Sequence, residues 1–201
     1  EKISLTSNNN FSFEIQKGFK FENFKINSDM LIHKLSLLNN FELKRFFPEQ
    51  KKMISFLNQK IKLQFEKNNF SIQGNGNLLY QNENDDIKYF YSNKNKTENF
   101  DITLKIKNNP FKVDYLNYKK DKKNELIFNF KGSKNKNNKL LIKSFDLNED
   151  KNFFKIKNLV FNEKLQISGV DQVDLDYFDQ ERQKNSIRLK KDKKKILFNW
   201  I

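Results

Sequence analysis

The single histidine, His33, stands among Leu31, Ile32, Leu35 and Leu37. An imidazole acting as a general base needs a carboxylate or a nucleophile within hydrogen-bond reach. No nucleophile signature accompanies His33, so it reads as a structural or exposed side chain. Cysteine is absent, which removes disulfides, thiolate metal sites and cysteine nucleophiles. With one histidine and no cysteine, a zinc or other transition-metal site is not expected. Asp171, Asp174, Asp176 and Asp179 gather oxygens as hard cations require. Asp174 and Asp176, however, alternate with Val173, Leu175 and Tyr177, which places them on the outer face of a strand. No glycine stands where a calcium loop makes its sharp turn, and Asp146 with Glu149 and Asp150 reads as a turn. Gly74-Asn75-Gly76 lies inside an alternating run with no Gly-Lys-Ser/Thr and no helix after it, unlike a phosphate loop. Glycines in that setting mark a bulge or a close backbone approach. The expectation is therefore a non-enzyme, with no catalytic residue, metal or cofactor.

The basic runs are Lys119-Lys120-Asp121-Lys122-Lys123 and the stretch from Arg188 to Lys195. Phosphate binding needs such residues gathered on one surface. Both runs fall at or beside predicted turns and contain Asp, so they read as solvated hairpin tips. The net charge of +14 invites a nucleic-acid partner. Yet 36 Lys stand against only Arg45, Arg182 and Arg188, with 31 Asn and no Ala. Lys, Asn, Ile and Phe have A/T-rich codons, so part of the charge is the imprint of an A/T-rich genome. Weak, salt-sensitive and sequence-independent attraction to polyanions is expected, with no specific nucleic-acid partner.

The elements that would position any site are strands. There are 22 Phe and no Ala; Phe, Tyr and Ile favour pleated surfaces, whereas Ala is the best helix former. Apolar residues alternate with polar ones over most of the length. Phe11, Phe13 and Ile15 form one set; Phe19 and Phe21 are followed, after one extra residue, by Phe24 and Ile26, which suggests a bulge. Further sets are Ile61 to Phe65, Phe70 to Tyr80, Ile87 to Tyr91, Phe100 to Ile106, Phe111 to Tyr115 and Leu126 to Phe130. In the next two runs the facing is ambiguous. Leu140 and Ile142 oppose Leu141, Phe145 and Leu147 in parity; Phe154, Ile156 and Val160 oppose Phe153, Leu159 and Phe161. Val173 to Tyr177, Ile187 with Leu189, and Ile196 to Trp200 close the series. Between these runs lie Asn- and Asp-rich turns at 82–86, 93–96, 119–124 and 132–138. Connections this short imply consecutive antiparallel hairpins, not helical crossovers. Pro48, then Glu49, with Met53, Phe56 and Leu57 at helical spacing, predict a short amphipathic helix over about 49–58. Met30 to Phe47 suits either a helix or a strand.

No run of about 18 apolar residues is present, so no membrane span is expected in this segment. The first residue is Glu1, and Leu197 to Ile201 read as a strand in progress. Both ends read as cut, and an anchor is expected outside the segment.

Three stretches carry a family resemblance: Asn77-Leu78-Leu79-Tyr80-Gln81-Asn82-Glu83-Asn84-Asp85 to Tyr89, Asn109-Pro110-Phe111-Lys112-Val113-Asp114-Tyr115-Leu116-Asn117-Tyr118, and Val173-Asp174-Leu175-Asp176-Tyr177-Phe178-Asp179. Together with the Asn/Lys/Ile/Phe bias and the chained hairpins, they resemble AsmA-like proteins of A/T-rich alphaproteobacteria, over most of residues 60–201. The resemblance implies anchoring in the inner membrane by an N-terminal helix, a periplasmic location and a long β-groove that moves phospholipid toward the outer membrane. It implies no catalytic residues.

The expected architecture is all-β: an elongated antiparallel meander, or open β-groove, of consecutive hairpins with one short amphipathic helix. Residues 1–60 would form hairpins plus that helix, and 61–201 the AsmA-like meander. Its function would be to shield acyl chains of phospholipid or another acyl lipid during transfer between inner and outer membranes. The residues expected to face lipid are Ile102, Leu104, Ile106, Val113, Tyr115, Phe128 and Phe130. The alternatives are a basic β-protein that binds nucleic acid, and a purely structural surface or secreted β-protein.

Overall fold

The computed structural model describes residues 3–67, 69–137 and 139–191, and the backbone of 196–200. The strands are β1 Ser4–Gln16, β2 Lys20–Leu38, β3 Met53–Glu66, β4 Asn69–Leu79, β5 Asn84–Lys94, β6 Thr97–Ile106, β7 Lys112–Val113, β8 Tyr118–Lys119, β9 Leu126–Lys134, β10 Leu140–Glu149, β11 Asn152–Phe161, β12 Ile167–Gly169, β13 Gln172–Phe178, β14 Lys184–Lys191 and β15 Ile196–Trp200. All but β7 and β8 join one antiparallel sheet in the order β1-β2-β3-β4-β5-β6-β9-β10-β11-β13-β14-β15, with β12 beside the end of β11. The sheet does not close on itself. Chain order and spatial order coincide, as expected of a meander built from hairpins. The all-β, open meander read from the alternation is the architecture observed.

The turn chemistry is local. Asn95 and Lys96 both have positive φ, 50° and 62°, the geometry of a tight hairpin turn whose twist matches its strands. Asp150, with φ 49°, turns β10 into β11. The bulge expected before Phe24 is present: Ser12 pairs Lys25 and Glu14 pairs Glu22, so β2 carries the extra residue, next to Asn23 at φ 54°.

Bulges also resolve the two ambiguous facings. On β10, Ile142 pairs Gly132 while Ser144 pairs Lys131, so one residue is inserted at Lys143. Leu140 and Ile142 before it, and Phe145 and Leu147 after it, thereby share a face. Lys143 lies opposite Asn158 of β11, which has φ 51°. This switch brings Leu159 and Phe161 onto the face of Phe154 and Ile156.

The helix expected over 49–58 does not form. Residues 48–52 are turn and irregular chain, and Met53 opens β3. Phe56 pairs Leu35 on one side and Leu78 on the other, so β3 has ladder partners along both edges. An isolated ten-residue helix is marginal in water, whereas a strand between two others satisfies every backbone group. The ambiguous segment resolves likewise: β2 runs to Leu38, and residues 39–52 are a loop. Among the described residues the one helical element is a 3-10 turn, Asp114–Leu116.

Two segments fold over one end of the sheet: the loop 39–52, and 107–125, which holds the β7–β8 ladder and the 3-10 turn. They are tied together by Lys112 N donating to Phe46 O at 3.0 Å, and to the sheet by Lys51 N donating to Tyr80 O at 3.0 Å. Beneath them lies the principal buried cluster: Ile106, Phe111, Tyr118, Leu126, Leu147, Phe154 and Tyr177.

Candidate functional site

Because pairing is in register, cross-strand partners share a face, and apolar residues line up in rows across the sheet. One row runs Ile61, Gly74, Tyr89, Ile102, Phe130, Phe145, Ile156, Val173 and Leu189 over nine strands. A second, on the side away from the cover, runs Leu63, Ile72, Tyr91, Phe100, Gly132, Ile142 and Leu159. A third, nearer the cover, contains Ile87, Leu104, Phe128, Leu147, Phe154, Leu175 and Ile187. The intervening residues, such as Lys60, Lys62, Gln73, Lys88, Asp101 and Lys131, make the opposite face polar.

Two glycines in these rows serve the aromatic packing. A Cβ on Gly74 would run into the Tyr89 ring, and one on Gly132 would lie 2.5 Å from the Phe100 ring and from Leu141 O. Each ring lies over its glycine neighbour, an arrangement known to stabilise strand glycines. Gly76 faces a bulge instead: Leu57 pairs Asn77 and Lys60 pairs Asn75, so Asn58 and Gln59 oppose it alone. The Gln59 amide fills the space and donates to Asn77 O at 2.8 Å. Both the bulge and the close approach expected at Gly74-Asn75-Gly76 are therefore found.

The seven residues expected to face lipid separate into three places. Ile106 is fully buried at the centre of the covered cluster, and Leu104, Val113 and Phe128 pack against it. Ile102 and Phe130 lie in the next row, half-buried, with Phe130 stacked on Phe100 at 5.2 Å between centroids. Tyr115 sits in the 3-10 turn on the outside of the cover, 84% exposed. The uncovered part of the face is thus centred on Ile102 and Phe130 and continues through Tyr89, Tyr91, Phe100, Phe145 and Ile156.

The cover is fastened by buried polar groups that alternation could not reveal. Asn109 donates to Asp85 Oδ2 and to Glu83 O, both at 2.7 Å, and accepts from Glu83 N at 2.9 Å. Gln81 donates to Pro110 O at 2.9 Å and accepts from Glu49 N at 3.2 Å, linking both cover segments. Glu149, read from sequence as part of a turn, is 1% exposed. It accepts from Tyr118 Oη at 2.5 Å, Asp121 N at 2.6 Å and Asn152 Nδ2 at 3.1 Å. Lys120, read as part of a solvated tip, is 4% exposed. Its Nζ donates to Lys107 O at 2.6 Å and Asp121 O at 3.0 Å. Burial pushes the Asp85 carboxyl above its usual range, against the Asn109 hydrogen bond. Burial pulls the Lys120 ammonium down, opposed by Glu149, Asp85 and Asp121. Burial, aided by the Glu149 carboxylate, pushes the Tyr118 hydroxyl far up. The alternation of Phe111, Val113 and Tyr115 reads as one more strand of the series, but only Lys112–Val113 is strand there and Asp114–Leu116 is the 3-10 turn, because this stretch is spent on the cover instead of the sheet.

His33 is exposed on β2. Asp174 lies in register between Lys155 and Arg188 on the polar face; Asp176 pairs Lys184 at 3.6 Å and Asp171 pairs Lys191 at 3.9 Å. The rest of the second basic run, Asp192 to Lys195, lies outside the described residues. A groove of about 1010 Å³ opens on the polar face of β1 to β6, with Lys60, Lys62, Gln73, Asn75, Lys88 and Phe90 along it. Among the described residues no helix is long and apolar enough to cross a membrane. Comparison with protein-family models, with curated proteins and with solved structures finds no match to the chain.

Proposed function

We propose that the chain is a non-enzymatic, lipid-facing section of an AsmA-like protein anchored in the inner membrane, shielding acyl chains on the periplasmic side during phospholipid transfer. One observation carries this reading: a single-layer sheet presents apolar rows across nine strands, and the chain covers only one end of them. The solvent-accessible area is 14335 Å², whereas a compact protein of this mass exposes roughly 10,000 Å². An apolar face of that extent in water favours any apolar occupant, at roughly 0.8 kcal/mol per buried methylene. Aromatics and aliphatics share this face, away from most of the lysines, which weighs against base-stacking on a basic surface.

The covered cluster alters the choice of variants. Asp at Leu104, Val113 or Phe128 would break the packing under the cover, so the informative positions are Ile102 and Phe130. The chain is purified from membranes and extracted for lipid mass spectrometry, and uptake of a fluorescent fatty acid is titrated. Co-purified lipid and saturable uptake are expected, both lost in Ile102→Ser with Phe130→Ser while the far-ultraviolet circular dichroism stays that of a sheet. Absence of both lipid and uptake in the unaltered chain refutes the reading, as does equal uptake by the folded double variant.

A further inference from the structure

The hairpin that joins β1 to β2 projects beyond the rest of the sheet. Lys25 of β2 pairs Glu66, the last residue of β3, and the chain then turns back into β4 through Lys67, at φ 47°. Residues 12–24 therefore form a two-stranded arm with no third strand on the β2 side. A strand laid against β1 would leave that side and the tip as they are. The arm is amphipathic. Ile15 pairs Phe21, and Phe13 stands edge-on to Phe21 at 5.3 Å; all three share a face and are exposed. Glu14 and Glu22 pair on the other face, where they accept from Asn23 and Gln16, each at 2.6 Å. At the tip, Phe19 is 84% exposed, and among the described residues no large apolar side chain is more so. Its φ of 58° follows Gly18 at 87°. Glycine or asparagine adopts that conformation readily, whereas a bulky residue there is an outlier that points to a use for its side chain.

We infer that this arm lies in the surface of an anionic lipid bilayer, with Phe13, Ile15, Phe19 and Phe21 at the boundary between headgroups and acyl chains. Three observations favour a bilayer over a protein partner. First, the apolar side chains crown a projecting tip. A fluid surface accepts such a shape, whereas a protein would need a pocket to match it. Second, Lys17 and Lys20 flank the Phe19 ring, and among the described residues neither forms an ion pair. Their ammonium groups reach lipid phosphates while the rings sit deeper. Third, the carboxylates of the arm, Glu14 and Glu22, lie on the face opposite the apolar one, so they stay in water when that face meets the membrane. The outer edge of residues 20–24 limits the depth. Its unpaired backbone groups need water or headgroups as partners, which keeps the arm out of the hydrocarbon. Docking by the arm is separate from any seating of acyl chains on Ile102 and Phe130, which lie on β6 and β9.

The chain is floated on a density gradient with vesicles of phosphatidylcholine and phosphatidylglycerol in equal parts at physiological salt. The unaltered chain should float. Phe19→Ser with Phe21→Ser should weaken binding at least about tenfold, the factor for withdrawing one aromatic side chain from an apolar phase. Lys17→Gln with Lys20→Gln should weaken it about fivefold for each lysine. Both variants should keep the circular dichroism of the unaltered chain, because the arm lies beyond the β2–β3 ladder. Ile102→Ser with Phe130→Ser should float like the unaltered chain, which separates docking by the arm from lipid held on the open face. Trp200 is the only tryptophan, so Phe19→Trp combined with Trp200→Phe places one reporter at the tip. Lipids brominated on the upper acyl chain should quench it, and more strongly than lipids brominated near the chain end. An unaltered chain that stays behind when the vesicles float overturns the inference. So do equal flotation of the Phe19→Ser, Phe21→Ser variant, loss of flotation in Ile102→Ser with Phe130→Ser, and a reporter that bromine does not quench. A doubled mass in the absence of lipid, abolished by Phe19→Ser with Phe21→Ser, would assign the arm to a second copy and overturn it too.

Discussion

Removing the Tyr118 hydroxyl tests how the cover is held. Tyr118 is fully buried and donates to Glu149 at 2.5 Å; the carboxylate retains Asp121 N at 2.6 Å and Asn152 at 3.1 Å. Tyr118→Phe keeps the ring against Phe154, 4.9 Å away, and deletes one hydrogen bond to a charged acceptor. Such bonds contribute about 1.5–3 kcal/mol, and the partner here is left buried with fewer donors. Glu149→Gln keeps the shape but puts an amide where only acceptors fit, and withdraws the negative charge that opposes the desolvation of Lys120. Its cost should be about 2–4 kcal/mol. Because both changes break the same bond, the double variant should cost less than the sum, with a coupling of about 1–3 kcal/mol. The assay is urea denaturation at pH 7 followed by tryptophan fluorescence and circular dichroism. With a slope of about 2 kcal/mol/M, Tyr118→Phe should lower the midpoint by about 1 M. A midpoint unchanged in Tyr118→Phe, or additive costs in the double variant, would refute the claim that this bond fastens the cover.

Two other perturbations follow from the same geometry. Gly132→Ala would place a methyl 2.5 Å from Leu141 O and from the Phe100 ring and should cost about 1–3 kcal/mol; Gly169→Ala, with nothing within 4 Å, should stay within about 0.5 kcal/mol of the unaltered chain in the same denaturation. Stability should also fall as pH rises above the ordinary tyrosine value of 10.0. Burial holds the hydroxyls of Tyr80, Tyr89, Tyr91, Tyr118 and Tyr177 above that value. The unfolded chain then binds fewer protons than the folded one, at up to about 1.4 kcal/mol per pH unit for each residue. Lys120 acts in the opposite direction: its depressed folded value adds stability as pH rises toward its ordinary 10.5. Lys25 and Lys107, held above their ordinary value by hydrogen bonds to Glu66 and Asp86, act in the same direction as the tyrosines, so Lys120 alone opposes the fall, and urea midpoints that rise between pH 9.5 and 11 would contradict it.

The meander was legible because a two-residue period and Asn-rich turns are local properties, readable strand by strand. Where the period broke, it broke for a reason also visible afterwards: Lys143 and Asn158 form a paired irregularity that turns two conflicting parities into one face. The helix over 49–58 was misread because its signals, Pro48 and the spacing of Met53, Phe56 and Leu57, are equally those of a turn feeding a strand. What decided the matter was the availability of β2 and β4 on either side, a non-local fact. The cover was not legible for the same reason. Glu149 and Lys120 look like ordinary turn charges until residues about 30 positions apart meet, and burial then changes their chemistry. Of the residues expected to face lipid, Ile102 and Phe130 are on the uncovered face, while Ile106 was hidden by a segment whose path the strand pattern does not encode.

A single-layer sheet needs a source of cohesion other than a second layer, and here it lies along the face itself. Phe70 meets Tyr91 at 6.2 Å, Phe100 stacks on Phe130 at 5.2 Å, Phe145 stands edge-on to Phe128 at 4.8 Å, and Phe154 lies 5.1 Å from Tyr177. Each such pair contributes about 0.5–1.5 kcal/mol beyond the area it buries. Bulky side chains shield one another sideways, which is why Ile102, Phe130 and Tyr89 are half-buried with no layer above them. Stability drawn from lateral contacts does not require the open surface to be filled. The strands therefore hold their register without anything seated on Ile102 and Phe130, while the clamped cover buries Ile106, Phe111 and Leu126 at one end.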